Sequence, residues 1–145
     1  MKTINFNKQK FQISKEGVLF WFEKKIAIIS DLHLEKGTGY APTGQFLPPY
    51  DSEETLTKLF NLTKQHDIKK IILLGDTFHD KNALSRMSKK VLFLFETFLK
   101  QYEVIFILGN HENNMELENV EFFKEYVLDG INFIHQASNK NIYQI

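Results

Sequence analysis

The residues of this chain that could bind a metal ion come directly after four short apolar runs. Asp31 and His33 follow the first run, and Asp76 follows the second. Residues 109–112, with the sequence Gly-Asn-His-Glu, follow the third run, and His135 follows the fourth. Carboxylate, amide and imidazole groups are ligands for manganese, iron and zinc. The pattern therefore predicts a metal centre that is built from distant parts of the chain.

The spacing within this set has a geometric meaning. Asp31 and His33 are separated by one residue, and on an extended backbone alternate side chains point the same way. The pair is therefore expected to chelate one ion. Gly75 and Gly109 come immediately before polar residues of the predicted site. A residue without a Cβ lets the backbone turn sharply and approach a metal ion or a phosphate closely.

The four apolar runs have the character of β-strands, and they occupy residues 26–29, 71–74, 104–108 and 131–134. The first three are continuous and rich in β-branched residues, which is typical of strands buried on both faces. In open α/β sheets, ligands bind outside the carboxyl ends of the strands. We therefore expect the four strand ends to deliver their polar side chains to one rim.

Two helices are predicted between the first three of these strands. Asp51 and Glu54 resemble a capping box at the start of the first helix. The second helix has one apolar face, which is formed by Val91, Leu94, Phe95, Phe98, Leu99 and Tyr102. Alternating strands and helices predict a parallel α/β sheet. Before them, residues 1–22 alternate in polarity around Gly17 and predict an antiparallel meander.

The composition describes an ordinary globular protein and excludes several classes. A chain of 145 residues usually forms one domain, and 43% hydrophobic residues argue against disorder. Eighteen basic residues balance eighteen acidic ones, so the protein is not expected to coat nucleic acid or an anionic membrane by charge. Seventeen of the basic residues are Lys, and Arg86 is the single Arg. Bidentate recognition of phosphates or guanines is therefore scarce.

Three further absences in the sequence bear on location and chemistry. The sequence contains no Cys, which excludes disulfides and thiolate zinc sites and fits a reducing cytosol. No apolar run approaches the roughly 20 residues that a membrane-spanning helix needs. The first ten residues lack the apolar core of a secretory signal. A cytoplasmic protein without membrane contact is expected.

Together the motifs resemble those of the calcineurin-like metallophosphoesterases. The resemblance rests on Asp-Leu-His at 31–33, Gly-Asp-x-x-x-Asp at 75–80, Gly-Asn-His-Glu at 109–112 and the isolated His135. It implies an α/β fold in which two sheets pack between helical layers (αββα). The central sheet would be rich in parallel strands and would carry an antiparallel N-terminal hairpin. The implied activity is that of a metal-dependent phosphoesterase.

The similarity is closer to one branch, the bacterial ligase-associated DNA damage response endonucleases of the PdeM type. Trp21 and the segments at 29–37, 44–51 and 75–80 carry this closer resemblance. It implies a phosphodiesterase or endonuclease of DNA repair. The substrate would be a phosphodiester such as DNA, and a functional link to a DNA ligase is implied.

The resemblance also implies a role for each metal-binding residue. Asp31 and His33 would hold the first of two divalent ions. Asp76 would bridge both ions, and Asn110 and His135 would hold the second. Manganese is the expected metal, with iron or zinc as alternatives.

The catalytic pair implied by the resemblance is His111 and Glu112. His111 would protonate the leaving oxygen or stabilise the transition state. Glu112 would orient His111, as a carboxylate commonly does for an imidazole. The implied reaction is phosphodiester hydrolysis by a hydroxide that two metal ions activate.

One motif of the family is missing from this sequence. The family completes its metal site with Gly-His-x-His after a further strand, whereas this chain ends with residues 141–145, which look like that strand. We therefore expect residues 1–145 to form a single domain that lacks the final strands and is incomplete at the C-terminus. The alternative function is a truncated, catalytically weak or inactive metal- or phosphate-binding module. A purely nucleic-acid-binding domain is a third alternative.

Several other polar residues keep two interpretations each. His79 could contact substrate or a metal-bound water, or be an ordinary loop residue, and Asp80 could support Asn110 or His111. Lys36 could meet a phosphate or be solvated, as could Lys81.

His66 is expected to be structural, and Ser30 lacks the His–Asp pair that would activate a nucleophile. The loop at 37–50 contains all three Pro residues, and loops of that length are often functional.

Overall fold

The computed structural model describes residues 1–36, 52–109, 121–137 and 143–145. Their strands form two sheets. The larger sheet has the spatial order β1 (Lys2–Phe6), β2 (Gln9–Ile13), β3 (Leu19–Trp21), β4 (Ile26–Ile29), β5 (Lys70–Leu74), β6 (Glu103–Ile107) and β7 (Phe122–Phe123). The smaller sheet has the order β10 (Tyr143–Gln144), β9 (Ile131–Ile134) and β8 (Glu125–Leu128).

The larger sheet changes direction at β4. Strands β1 to β4 pair antiparallel, which confirms the predicted meander. The turn between β1 and β2 places Asn7 and Lys8 at φ values of 46° and 62°. Two successive positive φ angles are typical of the tight turn that matches the twist of a hairpin. From β4 to β7 all pairs are parallel, as the alternation of strands and helices predicts.

Three helices are described, α1 (Ser52–Gln65), α2 (Ala83–Arg86) and α3 (Lys89–Gln101), with a short 3-10 turn at Phe22–Lys24. Helix α3 begins after Ser88, whose hydroxyl accepts a hydrogen bond from the Val91 amide at 3.2 Å. This contact satisfies one of the amides left unpaired at a helix start. The predicted cap at Asp51 lies outside the described residues. No helix in the described ranges is long and apolar enough to cross a membrane.

The central strands are buried on both faces, as their continuous apolar sequences predict. The face beneath α1 and α3 buries Ala27, Ile29, Ile71 and Leu73. The opposite face buries Ile26, Ile28 and Ile72 against the smaller sheet. Helices therefore cover one side of the parallel strands and a second sheet covers the other, which confirms three of the four predicted layers; no helix of the described residues covers the outer face of the smaller sheet.

The fourth apolar run is not part of the larger sheet, so the expectation that all four strands end at the rim of one sheet is wrong. Residues 131–134 form β9 at the centre of the smaller sheet. Ile131 and Phe133 pack towards the larger sheet, where the Phe133 ring lies 6.4 Å from that of Trp21. Asn132 points to the other face, where its amide donates to Glu125 at 3.0 Å. Asn132 is nevertheless only 2% exposed, so β9 is buried on both faces and the hydrogen bond to Glu125 gives this buried amide a partner.

His66 has the structural role that the sequence predicts. Its ring packs against Phe20 and Phe22, with centroid distances of 5.1 and 5.3 Å. These contacts fix the end of α1 over the antiparallel part of the larger sheet.

The packing of α3 generates a stability prediction. Phe98 is 1% exposed, and its ring lies 5.3 Å from that of Phe60. Phe98→Ala should lower the free energy of unfolding by about 3–5 kcal/mol, because it leaves a cavity in the core. Phe93 is the matched control, since it lies on the same helix and is 67% exposed. Phe93→Ala should change stability by less than about 0.5 kcal/mol in urea denaturation. Equal losses in the two variants would contradict the assigned buried face.

Candidate metal centre

Three predicted ligands converge where strands of both sheets end. Asp31 lies two residues beyond β4, Asp76 lies two residues beyond β5, and His135 directly follows β9. Each offers a ligand atom, and these atoms all lie within 4.8 Å of one another. Residues more than forty positions apart in the sequence thus meet in one small volume.

The carboxylate of Asp76 occupies the most enclosed position of the three. Its side chain is 7% exposed, and Oδ2 lies 3.3 Å from Nε2 of His135. A Cβ on Gly109 would overlap the backbone nitrogen and Oδ1 of Asp76, and a Cβ on Gly75 would overlap the His135 ring. The two glycines therefore make room for the ligand side chains themselves, which refines their expected role of bringing the backbone close to an ion.

The ring of His135 has a defined orientation. Nδ1 lies 2.8 Å from the backbone carbonyl oxygen of Leu74. A carbonyl oxygen only accepts hydrogen bonds, so Nδ1 carries the hydrogen in this contact. In the neutral imidazole the lone pair then resides on Nε2, the atom that faces Asp76. A backbone acceptor of this kind commonly orients a histidine for metal binding.

Asp31 is held from its own loop and from the neighbouring one. The Ser30 hydroxyl lies 2.5 Å from Oδ2 of Asp31 and 3.2 Å from the Leu74 carbonyl oxygen. The Asp31 amide donates to the Gly75 carbonyl at 3.1 Å. Ser30 therefore orients the Asp31 carboxylate.

The backbone conformation that places His33 beside Asp31 differs from the one that the sequence predicts. Asp31 and His33 have φ angles of 56° and 45°, so the backbone here is left-handed and the expectation of an extended segment is wrong. Nε2 of His33 lies 3.7 Å from Oδ1 of Asp31. Among the described residues, His33 does not belong to the close group formed by Asp31, Asp76 and His135.

Backbone pairing between the two loops explains this conformation. The His33 amide donates to the Asp76 carbonyl at 2.9 Å, and the Leu34 amide donates to the Thr77 carbonyl at 2.8 Å. The His79 amide in turn donates to the Leu34 carbonyl at 2.9 Å. The loops after β4 and β5 therefore stay paired beyond the strand ends, which fixes the separation of the side chains that they carry. The His79 ring lies 6.2 Å from that of His33.

Arg86 joins these two loops from the side, a contact that sequence reasoning missed. Its guanidinium donates from Nη1 to Oδ1 of Asp80 at 2.8 Å and from Nη2 to the Glu35 carbonyl at 3.0 Å. Glu35 is buried and also binds Ser52, whose hydroxyl donates to Oε2 at 2.7 Å and accepts from the Glu35 amide at 3.0 Å. We call Arg86, Asp80, Glu35 and Ser52 the loop clamp. The sequence offered one indication of a special role for Arg86, because it is the single Arg in a chain that has seventeen Lys residues.

The clamp sets the charge state of Asp80. Burial by itself raises the pKa of this carboxyl group. The hydrogen bonds from the Arg86 guanidinium and the Asn82 amide outweigh burial and hold the pKa of Asp80 below its ordinary value. Asp80 is thus an ionised partner of Arg86, whereas the expected support of Asn110 or His111 remains a prediction.

The remaining predicted site residues lie outside the described part of the chain. They are Asn110, His111, Glu112 and the loop at 37–50. Lys36 and Lys81 are described at the edges of the two loops, and the Lys36 amide donates to the His33 carbonyl at 3.1 Å.

The donor set of the three converging residues fits a divalent cation. Two carboxylates and an imidazole lone pair lie within 4.8 Å of one another, and one of the carboxylates is buried. Like charges this close repel, and an opposite charge between them favours the ionised forms. Carboxylate and imidazole ligands suit manganese, iron and zinc. Asp31, Asp76 and His135 are therefore a chemically reasonable cation site.

The space that Gly109 leaves beside Asp76 generates a metal-binding prediction. Gly109→Ala places a Cβ against Asp76, so the carboxylate must move. We expect the affinity for Mn²⁺, measured by titration calorimetry, to fall by about tenfold or more. Gly17→Ala is the control, because its Cβ would have no neighbour within 4 Å although the φ of +87° costs stability. Unchanged Mn²⁺ affinity in a folded Gly109→Ala protein would contradict the inference that Gly109 makes room for the Asp76 carboxylate.

The loop clamp generates a prediction with a pH dependence. Arg86→Met removes both hydrogen bonds and should lower the free energy of unfolding by about 1–3 kcal/mol at neutral pH. The folded-state pKa of Asp80 is depressed, so its stabilisation is present above the ordinary value of 3.8 and is lost as pH falls through the folded value. The stability difference from wild type should therefore shrink in urea titrations as the pH is lowered below 3.8. A difference in the free energy of unfolding that stays constant over this pH range would contradict the charge pairing of Arg86 with Asp80. Arg86→Lys should lower the free energy of unfolding by an intermediate amount.

Comparisons with known proteins identify the family and the fold of this chain. Residues 24–145 match the family model of the calcineurin-like phosphoesterases. The crystal structure of Pseudomonas putida nuclease MPE is similar at a TM-score of 0.76 and 21% sequence identity, over 98% of this chain and 68% of that chain. No curated protein matches the sequence significantly. The family match, the shared layered fold and the cluster of metal-binding side chains lead to one conclusion: the chain belongs to the calcineurin-like phosphoesterases, which are metal-dependent hydrolases.

Proposed function

We propose that this protein hydrolyses phosphodiesters with two divalent metal ions. The observation that carries the proposal is the convergence of Asp31, Asp76 and His135 at adjoining strand ends in a chain of the phosphoesterase family. Phosphodiester chemistry is chosen over monoester chemistry because of the similarity to the DNA-processing branch and the likeness to a nuclease.

The ligands are assigned residue by residue. Asp76 would contribute its carboxylate to both ions, which suits its central and buried position. Asp31 and His33 hold one ion, and their 3.7 Å contact supports this pairing. Asn110 and His135 hold the other, and the Leu74 carbonyl keeps Nε2 of His135 available.

The chain's own residues bind, orient and transfer a proton around this centre. When bound, divalent ions stabilise charge on phosphoryl oxygens and lower the pKa of water. His111 donates a proton to the leaving oxygen of the ester, and Glu112 orients its imidazole. Ser30 and the loop clamp keep Asp31 and Asp76 at a fixed separation. Manganese is the proposed metal, with iron and zinc as alternatives.

A short single strand of DNA or a small diester is the proposed substrate. The net charge of zero gives little electrostatic attraction for a long duplex. Arg86 is the single Arg, and its guanidinium is engaged by Asp80 and Glu35. Lys36 and Lys81, beside the site loops, are the proposed contacts to phosphate. A role in DNA repair beside a DNA ligase follows from the branch similarity.

One observation favours a second candidate function. Among the described residues, Asp31, Asp76 and His135 form the one close group of metal-binding side chains, and His33 lies outside it. A single ion held by these three residues would make the chain a metal- or phosphate-binding module with weak catalysis or none.

Two substitutions test the proposed mechanism. His111→Gln should lower the turnover of bis(p-nitrophenyl) phosphate by about 10²–10⁴-fold while Mn²⁺ still binds, because it removes only the proton donor. Asp76→Asn should abolish both turnover and Mn²⁺ binding, because it removes the bridging charge. Rates are measured by nitrophenolate release and binding by calorimetry. Full activity in Asp76→Asn would contradict the bridge, and metal binding without turnover in the wild-type chain would favour the second candidate.

A further inference from the structure

A cavity of about 270 Å³ opens beside the candidate metal centre. Three segments line it: the turn before β3, the end of β4 with the residues after it, and one face of α1. Asp31 belongs both to the wall of this cavity and to the close group of metal-binding side chains. The cavity therefore adjoins a residue of the candidate metal centre.

The inner lining of the cavity is apolar. Val18 and Leu59 are buried, and Leu32 and Leu62 are partly buried beside them. Burying an apolar or aromatic group against such side chains is favourable in proportion to the area removed from water. The lining therefore suits a hydrocarbon or a ring rather than a hydrated group.

The charged groups at the opening disfavour an anion. Glu16 and Asp31 contribute two carboxylates. Lys58 is the cation of the lining, and its ammonium group is already bound to Glu54 at 2.7 Å. A bound ion offsets the charge of Asp31, but a second phosphate would still meet the Glu16 carboxylate and the phosphate at the metal centre, whereas an uncharged group avoids that repulsion.

The volume limits the size of the occupant. Sites for drug-sized ligands usually enclose about 300–1,000 Å³. At about 270 Å³, this cavity accommodates one ring-sized group and excludes a longer stretch of polymer.

We propose that this cavity is a subsite for one uncharged aromatic group, a nucleobase or an aryl ring, carried by the ester whose phosphate lies at the metal centre. The inference rests on the proposed function, because that function places the phosphorus next to Asp31. The subsite makes the enzyme selective for phosphate esters that bear a ring over those that bear a small alkyl group. Thr55 lines the cavity from α1, and its side chain is therefore assigned as a determinant of this specificity.

Two non-hydrolysable ligands test the subsite without catalysis. Phenylphosphonate and methylphosphonate share the same anionic group and differ in the substituent on phosphorus. Titration calorimetry with and without Mn²⁺ should give about tenfold tighter binding of phenylphosphonate to the wild-type protein, as expected for extra apolar surface in a pocket. Equal affinities, or no binding of either phosphonate, would overturn the subsite.

Substitutions on α1 locate the preference. Thr55→Trp fills the cavity and should reduce the difference between the two phosphonates to about twofold or less. Thr57→Trp is the matched control, because Thr57 is exposed on the same helix and does not line the cavity. Thr55→Phe repeats the test with a smaller ring, should circular dichroism show that Thr55→Trp is not folded. A preference that survives in folded Thr55 variants would place the phenyl group elsewhere and overturn the proposal.

The test of the subsite and the test of the proposed function can give different results. Hydrolysis of bis(p-nitrophenyl) phosphate together with equal phosphonate affinities would leave the phosphodiesterase proposal standing and overturn the subsite. A Thr55-dependent preference for phenylphosphonate in a protein that hydrolyses no diester would support the subsite as part of a binding module.

Discussion

The buried carboxylate of Asp76 is the constraint on which the site depends. An ionised group taken out of water is costly unless other groups compensate it. Here Nε2 of His135 lies 3.3 Å from Oδ2 of Asp76, and because its lone pair faces the carboxylate it adds a further electron-rich donor atom. A second carboxylate, that of Asp31, lies in the same small volume and adds repulsion. A cation relieves both costs, so the local chemistry and the metal dependence of the family have one physical origin.

The fold keeps this charged group in place from two independent sheets. Strands β4 and β5 are parallel neighbours, so the residues after them leave the sheet at the same edge and remain paired by backbone hydrogen bonds. His135 arrives from the smaller sheet, which packs on the opposite face through Phe133 and Trp21. The loop clamp around Arg86 adds a third restraint at the side. The separation of the ligands thus depends on core packing as well as on the loops.

The sequence predicted the parts of this arrangement that local chemistry determines. Asp31, Asp76 and His135 could be found because each follows an apolar run, and the carboxyl ends of strands are where α/β proteins bind ligands. The second sheet was implied by the family resemblance, but the run at 131–134 could not be assigned to it, because Ile131, Phe133 and Ile134 are as apolar as the residues of the central strands. The left-handed backbone at His33 arises from pairing with a loop far away in the sequence. The same holds for Arg86, whose partners are fifty-one and six residues distant.

Diffraction from crystals grown with Mn²⁺ tests the central claim most directly. Data collected at a wavelength where manganese scatters anomalously locate the ions without any assumption about activity. The account predicts two manganese peaks within coordination distance of Asp76 in the wild-type protein, one of them beside Asp31 and the other beside His135. A fully occupied peak elsewhere, or an ordered Asp76 carboxylate with no peak beside it at saturating Mn²⁺, would contradict it.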